Sequence, residues 1–266
     1  MAHEVTPRPF SLTGYNAVVT GGGRGIGAAT AIALAEAGAR VSVTSRNEAQ
    51  VVEIAARLRA RHLEAFAFRC DVVDPRQVRD LVLSAREAMG RIDILVNCAG
   101  TATSNPLDKI TLAEWEHIMA VNATGTFLCT QAVWGQMIQR RWGRIITVAS
   151  IAGLEGDKYI AAYTAAKHAV IGFTKAVAAE AQGTGVTVNA VCPGYVDTPL
   201  TDETVARTMH HTGKTWRESL TSILERAGQQ RLIRAPEVAD AILELCAESA
   251  HGRNGEIVEI TGADTP

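Results

Sequence analysis

The sequence predicts one α/β domain, in which a parallel sheet of about seven strands carries helices on both of its faces. Short apolar runs alternate with longer helical patterns along all 266 residues. Several of these runs are apolar on both sides, which is typical of the buried strands of a parallel sheet. We find no repeat, low-complexity linker or domain boundary, so a single doubly wound domain over residues 1–266 is expected.

The apolar runs place the expected strands at residues 15–20, 40–45, 65–69, 92–97, 144–150, 186–192 and 256–260. Helical patterns lie between them at residues 25–37, 48–61, 76–89, 112–139, 159–181 and 236–249. Residues 1–11 form an expected N-terminal tail. One long insertion, residues 194–235, stands where a short connection would suffice. Insertions at this edge of a sheet commonly form lids, so we expect this segment to cover the substrate.

The composition argues against several kinds of partner. A formal net charge of −2 favours neither nucleic acid nor an anionic membrane surface. No run of eighteen apolar residues is present, and residues 1–11 lack an apolar signal core, so nothing is expected to span a membrane. The five cysteines are scattered and form no CxxC pair, which predicts reduced thiols in a cytoplasmic protein without a metal site.

A serine, a tyrosine and a lysine carry the expected chemistry. Tyr163 and Lys167 are four residues apart, so on a helix both project from one face. A lysine ammonium favours the phenolate and is expected to lower the pKa of the tyrosine. The Ser150 hydroxyl can hold a carbonyl or alcohol oxygen while Tyr163 passes the proton. Together with a hydride carrier, these three side chains can interconvert a ketone and an alcohol. The YxxxK spacing alone often arises by chance.

A glycine-rich segment follows the first expected strand and opens the first expected helix. Glycines let the backbone turn tightly and approach a pyrophosphate, whose charge lies at the positive end of the helix. The spacing differs from GxGxxG, and a plain strand–helix joint is the alternative. The residues expected at the cofactor are Gly21, Gly23, Arg24, Gly25, Ile26 and Gly27.

The end of the second strand distinguishes between the nicotinamide cofactors. An enzyme that selects NAD usually has an acid here for the ribose 2′-hydroxyl, but no Asp or Glu lies between Glu36 and Glu48. Arg46 can instead pair with a 2′-phosphate, with Ser45 and Arg24 as further donors, so NADP(H) is favoured over NAD(H). The alternative is a solvated arginine beside a permissive ribose site.

Two further strand ends are expected at the cofactor. Asp71 and Val72 follow the third strand and can contact adenine, although a helix cap is the alternative role for Asp71. Asn97, Ala99 and Gly100 end the fourth strand at the same carboxyl edge of the sheet. Small residues there allow the ribose of a cofactor to approach closely.

In order and spacing these motifs resemble the short-chain dehydrogenase/reductase family, over nearly the whole chain. The likeness rests on TGGGRGIG at 20–27, NCAG at 97–100, Asn122 within VNATG, Ser150, YxxxK at 163–167 and Pro193-Gly194. It implies a seven-stranded Rossmann-type sheet and a homo-oligomer, either a tetramer or a dimer. Two departures are Cys98, where the family most often has asparagine, and Thr261-Gly262-Ala263, where paired glycines are usual. Cys98 is expected to affect one contact that stabilises the backbone. Thr261-Gly262-Ala263 is expected to affect how subunits pack.

The resemblance also implies residue roles. Ser150 would position the substrate oxygen, and Tyr163 would be the general acid/base. Lys167 would lower the pKa of Tyr163 and hold the ribose hydroxyls of the nicotinamide. Asn122 would kink its helix and anchor a water molecule in a proton relay. Further cofactor contacts are expected at Pro193, Gly194, Val196 and Thr198.

The substrate depends on the second half of the chain. Residues 191–199 and the lid resemble 3-oxoacyl-thioester and polyketide ketoreductases, which implies NADPH-dependent reduction of a 3-oxoacyl thioester or a related β-keto compound. Leu154 and Tyr195 flank the expected site and are expected to line the pocket. Basic residues in the later part of the lid are either solvated or positioned for the phosphates of coenzyme A or of a carrier protein's arm. They are Lys214, Arg217, Arg226, Arg231 and Arg234.

Two alternative functions stay open. One is a catabolic dehydrogenase that uses NAD(H) on a 3-hydroxyacyl-CoA, a cyclic alcohol or a steroid. The other is a non-catalytic nucleotide-sensing protein on the same fold. Such proteins usually lack part of the serine, tyrosine and lysine set, and this chain has all three.

Overall fold

A computed structural model describes residues 10–262. Residues 1–9 of the expected tail and Ala263 of the C-terminal departure lie outside the described residues. The strands are β1 (Asn16–Thr20), β2 (Arg40–Ser45), β3 (Ala65–Arg69), β4 (Ile94–Asn97), β5 (Gly143–Val148), β6 (Val186–Pro193) and β7 (Ile257–Ile260). They form one parallel sheet in the order β3-β2-β1-β4-β5-β6-β7. The predicted seven-stranded parallel sheet is thus confirmed.

Nine α-helices occur in the described chain. They are α1 (Gly25–Glu36), α2 (Glu48–Arg59), α3 (Pro75–Met89), α4 (Leu112–Met119), α5 (Gly125–Arg140), α6 (Ala161–Ala181), α7 (Pro199–Thr212), α8 (Trp216–Arg226) and α9 (Ala235–Cys246). The single helix expected over residues 112–139 is wrong in one respect: a π-helical turn, Ala120–Thr124, separates α4 from α5. The insertion between β6 and α9 consists mainly of α7 and α8.

Successive strand residues face opposite sides of the sheet, and both sides are buried. Val19 and Ile94 belong to the core cluster that includes residues of α1, α2 and α9. Their neighbours Val18 and Leu95 belong to the cluster that includes residues of α3, α5 and α6. This arrangement explains why the central strands are apolar on both sides. No helix within residues 10–262 has both the length and the hydropathy needed to cross a bilayer.

A buried carboxylate joins elements at the amino edge of the sheet. The Asp93 side chain is 3% exposed, and its Oδ2 accepts hydrogen bonds from the backbone and side-chain nitrogens of Asn16, at 2.9 and 3.2 Å. Its Oδ1 accepts from Nε of Arg91 at 2.8 Å and from Nη2 of Arg140 at 3.5 Å. The starts of β1 and β4 and the end of α5 therefore depend on one group.

Replacing this carboxylate is expected to destabilise the fold without altering the chemistry. Asp93→Ala leaves several donors without their acceptor and should lower the free energy of unfolding by about 2–4 kcal/mol. Asp80→Ala, at an exposed site on α3, is the matched control and should change it by less than about 0.5 kcal/mol. Urea unfolding measures both. Equal unfolding free energies for the two variants would contradict the role given to Asp93.

Candidate active site

A cofactor-sized groove opens where β1, β2, β3 and β4 end. Gly21 turns the chain out of β1 with φ +65°, and a Cβ atom there would lie 2.9 Å from the backbone of Ala99. Thr20 Oγ1 ties the same two strand ends together, since it accepts the amide hydrogens of Cys98 and Ala99 at 3.0 and 3.1 Å. No side chain caps the first turn of α1. Its amide donors are therefore available to an anion in the groove.

Most of the residues expected at a cofactor line this groove. It has a volume of about 420 Å³, and a continuation of about 110 Å³ leads towards β5 and β6. The first part is lined by Gly21, Gly23, Arg24, Gly25, Ile26, Gly27, Ser45, Arg46, Asp71, Val72, Ala99, Gly100 and Thr198. The continuation is lined by Asn122, Ser150, Tyr163, Lys167, Pro193, Gly194 and Val196, among others.

Asn97 is the exception among the expected cofactor residues. Its side chain is buried and faces α5, where Nδ2 donates a hydrogen bond to Thr130 Oγ1 at 3.0 Å. Side chains alternate between the two sides of a strand, and the last residue of β4 faces away from the groove. The expectation that Asn97 contacts the cofactor is therefore wrong for its side chain.

Arg46 provides a positive charge at the end of the groove next to β2. Arg46 is exposed, and no acid of the described chain forms an ion pair with it. Ser45 Oγ donates to the Asn47 carbonyl oxygen at 2.9 Å. Arg24, expected as a further phosphate donor, is instead paired with Glu203 of α7, with Nη1 and Oε1 3.1 Å apart. Of the two arginines that line the groove within the described residues, Arg46 is thus the one without an ion pair.

Sequence reasoning missed several groove residues. Asn47 and Gln50 line the groove beside Arg46. Asn47 is the N-cap of α2 and accepts the Gln50 amide at 3.4 Å. An asparagine directly before a helical pattern is a readable N-cap signal, and this one would have marked the first turn of α2 as part of the wall.

Three elements bring the serine, the tyrosine and the lysine together. Ser150 follows β5 and caps a short 3-10 turn, where its Oγ accepts the Ala152 amide at 3.2 Å. Tyr163 lies in the first turn of α6 and lines the same cavity wall as Ser150. Lys167 lies one turn later, with Nζ 5.6 Å from the centroid of the Tyr163 ring. The expected face of α6 is therefore directed at the end of β5.

The Lys167 ammonium is anchored to the sheet. Its Nζ donates a hydrogen bond to the Val148 carbonyl oxygen at 2.8 Å, and the residue is 5% exposed. Burial disfavours the charged amine and lowers the pKa of Lys167 to about 8. The ammonium is still the main form at neutral pH.

Burial also decides the state of the tyrosine. It raises the pKa of Tyr163 to about 12, although the neighbouring Ser150 hydroxyl acts in the opposite direction. The expectation that Lys167 brings this pKa below its usual range is wrong for the protein alone, because desolvation of the phenol is the largest influence on it. Tyr163 is consequently a neutral phenol that holds a proton to donate.

Asn122 occupies the π-helical turn that separates α4 from α5, at the position where a kink is expected. Its Nδ2 donates to the carbonyl oxygens of Thr101 and Ile118, both at 2.9 Å, and its Oδ1 accepts the Thr101 amide at 3.3 Å. The side chain therefore joins the α4–α5 segment to the loop after β4. It also satisfies a carbonyl group that the irregular turn would otherwise release.

A separate cavity of about 210 Å³ adjoins Ser150 and Tyr163 on the side of the lid. Tyr195 lines it as expected, and is held by Gln229, whose Oε1 accepts the Tyr195 amide at 2.6 Å. Leu154 is not among the lining residues, and that expectation is wrong. The 3-10 turn after Ser150 directs Leu154 into a cluster with Val170 and Ile171.

Lid residues that sequence reasoning did not place form the far wall of this cavity. They are Leu200, Thr201, Thr204 and Arg207 from α7, and Arg226 and Ala227 at the end of α8. Among the basic residues of the lid, the sequence distinguishes none that faces inward, because their orientation depends on how α7 and α8 pack together.

Comparisons with known proteins agree with this geometry. A family model described as short chain dehydrogenase matches residues 15–208. The granaticin polyketide synthase putative ketoacyl reductase 1 of Streptomyces violaceoruber is 36% identical, over 97% of this chain and 95% of its own length. The 3-oxoacyl-(acyl-carrier-protein) reductase of Escherichia coli (strain K12) is 35% identical, over 95% of this chain and 98% of its own.

A solved structure shows the same arrangement of the backbone. A variant of actinorhodin polyketide ketoreductase, crystallised with NADPH, superposes with a TM-score of 0.90 at 34% identity. The alignment covers 93% of this chain and 96% of that one. On its sequence, its fold and its site geometry, the chain belongs to the short-chain dehydrogenase family and is an NAD(P)-dependent oxidoreductase.

Proposed function

We propose that this protein uses NADPH to reduce the keto group of a 3-oxoacyl thioester, or a related β-keto compound, to a hydroxyl group. One observation carries the proposal: Ser150 and Tyr163 line both the continuation of the cofactor groove and the lid-side cavity. A carbonyl carbon held there lies between a hydride donor and a proton donor. The relatives named as ketoacyl reductases support the choice of a β-keto substrate.

Four residues of the chain have separate roles in this reaction. NADPH, when bound, supplies the hydride. Ser150 holds the carbonyl oxygen of the substrate through its hydroxyl group. As negative charge develops on that oxygen, the Tyr163 phenol donates its proton, so no free alkoxide forms. The Lys167 ammonium, anchored on Val148, favours the phenolate that results, and solvent then restores the proton. Asn122 is proposed to hold a water molecule on that route.

The cofactor proposal depends on Arg46. The groove residues at the end of β2 include Ser45, Arg46 and Asn47, none of which offers a carboxylate to a ribose 2′-hydroxyl. An NAD(H)-dependent dehydrogenase of a hydroxyacyl-CoA, a cyclic alcohol or a steroid is disfavoured on this ground. A non-catalytic nucleotide sensor is disfavoured by the complete set of Ser150, Tyr163 and Lys167.

We also propose that the chain forms a homo-oligomer, a dimer or a tetramer. Leu112, Trp115 and Phe127 of α4 and α5 are 70%, 39% and 41% exposed. The Phe127 ring makes an edge contact with Phe173 of α6, at a centroid distance of 6.1 Å. Large apolar side chains that are exposed on two consecutive helices favour contact with another protein surface.

Removal of one phenol hydroxyl tests the proton donor. Tyr163→Phe should lower kcat for ketone reduction by roughly 10²–10⁴-fold, because the general acid is lost while the cavity keeps its shape. The Kd of NADPH, measured by fluorescence titration, should change little. Tyr159→Phe is the matched control, since Tyr159 is exposed and lies just before α6. Turnover of Tyr163→Phe close to that of the control would refute the assignment.

Reversal of one charge tests the cofactor preference. Arg46→Asp should lower the ratio of kcat/KM for NADPH to that for NADH by roughly 10–100-fold, because a charge-assisted contact becomes a repulsion. Arg59→Asp, at the exposed end of α2, changes the net charge equally and should leave the ratio unchanged. A wild-type preference for NADH, or the same ratio in both variants, would count against NADP(H).

The pKa of Lys167 predicts how cofactor binding depends on pH. With a pKa of about 8, this amine loses its charge as the pH rises from 7 to 9.5. The Kd of anionic NADPH should therefore rise by roughly 3–10-fold over that range. The thiols of Cys98 and Cys192, with pKa values raised to about 12 and 11, stay neutral. The 2′-phosphate, with a second pKa of about 6, is already mostly ionised at pH 7.

Two lysine variants make this pH test specific. Lys167→Met should bind NADPH more weakly at pH 7 and show a flat Kd between pH 7 and 9.5. Lys175→Met, on the exposed side of α6, should keep the wild-type slope. A flat wild-type profile, or an unchanged slope in Lys167→Met, would show that another group responds to pH.

A further inference from the structure

Two arginines of the lid line the cavity that adjoins Ser150 and Tyr163. Arg207 comes from α7, and Arg226 is the last residue of α8. The relation between Arg226 and the cavity has independent support: the pKa of Tyr195 is raised by burial, and Arg226 acts to lower it. Positive charge therefore reaches the cavity from both lid helices.

Neither guanidinium group has an acidic partner within the described chain. The Arg207 Nη2 atom donates to Thr204 Oγ1 at 3.0 Å, but its Nε is buried and has no acceptor. The lid arginine Arg231 and its neighbour Arg234 both pair with Glu237, at 2.7 and 3.0 Å. A buried charged donor without an acceptor is uncommon in a folded protein and calls for a partner, such as a water molecule or an anion.

Two acids also line this cavity, and they do not neutralise the arginines. Glu155 and Asp157 lie on the segment between β5 and α6, and both are exposed. Neither forms an ion pair with Arg207 or Arg226 within residues 10–262. Water and salt screen such exposed carboxylates. Arg226 is exposed and is screened in the same way. The buried Arg207 Nε is screened much less, so this group is the one that makes the lid wall favour an anion.

We propose that Arg207 and Arg226 form a subsite for an anionic group of the keto substrate. This subsite binds a carboxylate or phosphate group while the carbonyl group of the substrate lies at Ser150 and Tyr163. This inference rests on the proposed function, because it assumes that the cavity holds the substrate. The guanidinium groups supply the planar pairs of donors that such groups accept. The cavity of about 210 Å³ is smaller than the roughly 300–1,000 Å³ of sites for drug-sized ligands. The keto end of a substrate fits inside it, so a substrate carboxylate would lie within the cavity, whereas the phosphates at the end of a carrier arm would contact the arginines from outside it.

A panel of three substrates tests the subsite. The probes are acetoacetyl-CoA, which carries phosphates, acetoacetate, which carries a carboxylate, and the acetoacetyl thioester of N-acetylcysteamine, which carries neither. Arg207→Gln and Arg226→Gln should lower kcat/KM for an anionic substrate by roughly 10–100-fold, as expected for the loss of a charge-assisted hydrogen bond. Their kcat/KM for the neutral thioester should stay within about twofold of wild type.

The pattern of losses decides between the two sources of the anion. A loss confined to acetoacetyl-CoA identifies the phosphate of a thioester carrier, and a loss confined to acetoacetate identifies a substrate carboxylate. Arg79→Gln, at an exposed position of α3, is the matched control and should affect none of the three. Equal losses on all three substrates, or no loss on either anionic one, would overturn the subsite.

Binding measurements separate failure of the subsite from failure of the proposed function. If wild type reduces none of the three compounds, the proposed function is wrong for this chemistry, and the subsite is judged by thermal shift alone. Butyrate or inorganic phosphate should raise the Tm of wild type in the presence of NADPH, whereas neutral butyramide should not. The increase should be smaller in both arginine variants. No increase in wild type, or the same increase in the variants, rejects the subsite.

Discussion

The site depends on a buried hydrogen bond that joins a helix to the edge of the sheet. Lys167 of α6 donates to the carbonyl oxygen of Val148 at the end of β5. The 3-10 turn that follows Ser150 also packs directly on α6, since a Cβ atom on Gly153 would lie 2.8 Å from the Lys167 carbonyl oxygen. These two contacts set the height and rotation of α6 against β5. The shared position of Tyr163 and Ser150 on the cavity wall follows from that placement.

The same burial acts in opposite directions on the two titratable groups of the site. It raises the pKa of the phenol and lowers that of the amine, because in both cases the neutral form is easier to desolvate. An enzyme that protonates a developing alkoxide needs a proton donor that stays protonated until negative charge develops on the substrate oxygen. Burial supplies such a donor in Tyr163. Lys167 then provides positive charge at the point where the phenolate forms.

The sequence predicted what depends on local periodicity and on spacing within one element. The seven strands followed from runs apolar on both sides, and the common face of Tyr163 and Lys167 followed from their separation of four residues. Strand ends that share the carboxyl edge brought Arg46, Asp71 and Gly100 to one groove. For such residues, the position of the helix or strand also determines the position of the side chain.

Features that depend on contacts between distant segments escaped prediction. The partner of Arg24 is Glu203, which is 179 residues away in the chain. Asn97 and Leu154 lie next to groove or cavity residues in sequence, but their side chains pack against Thr130 and Ile171 respectively. Arg207 could not be distinguished from other basic residues of the lid before the packing of α7 against the cavity was known. The expected pKa of Tyr163 was wrong for a related reason: the spacing showed the amine, whereas the depth of burial is a property of the whole fold.

The ion pair between Arg24 and Glu203 has a consequence for how the two ligands affect each other. Helix α7 presents Glu203 to the glycine-rich loop and presents Thr204 and Arg207 to the cavity on the lid side. One helix thus contacts the surroundings of both ligands. A cofactor phosphate that drew Arg24 away would alter the energy of α7 in the absence of any substrate. By thermodynamic reciprocity, the factor by which one ligand then changed the affinity of the other would be the same in both directions. In that case, the affinity for each ligand depends on whether the other is bound, and the order of binding affects the kinetics.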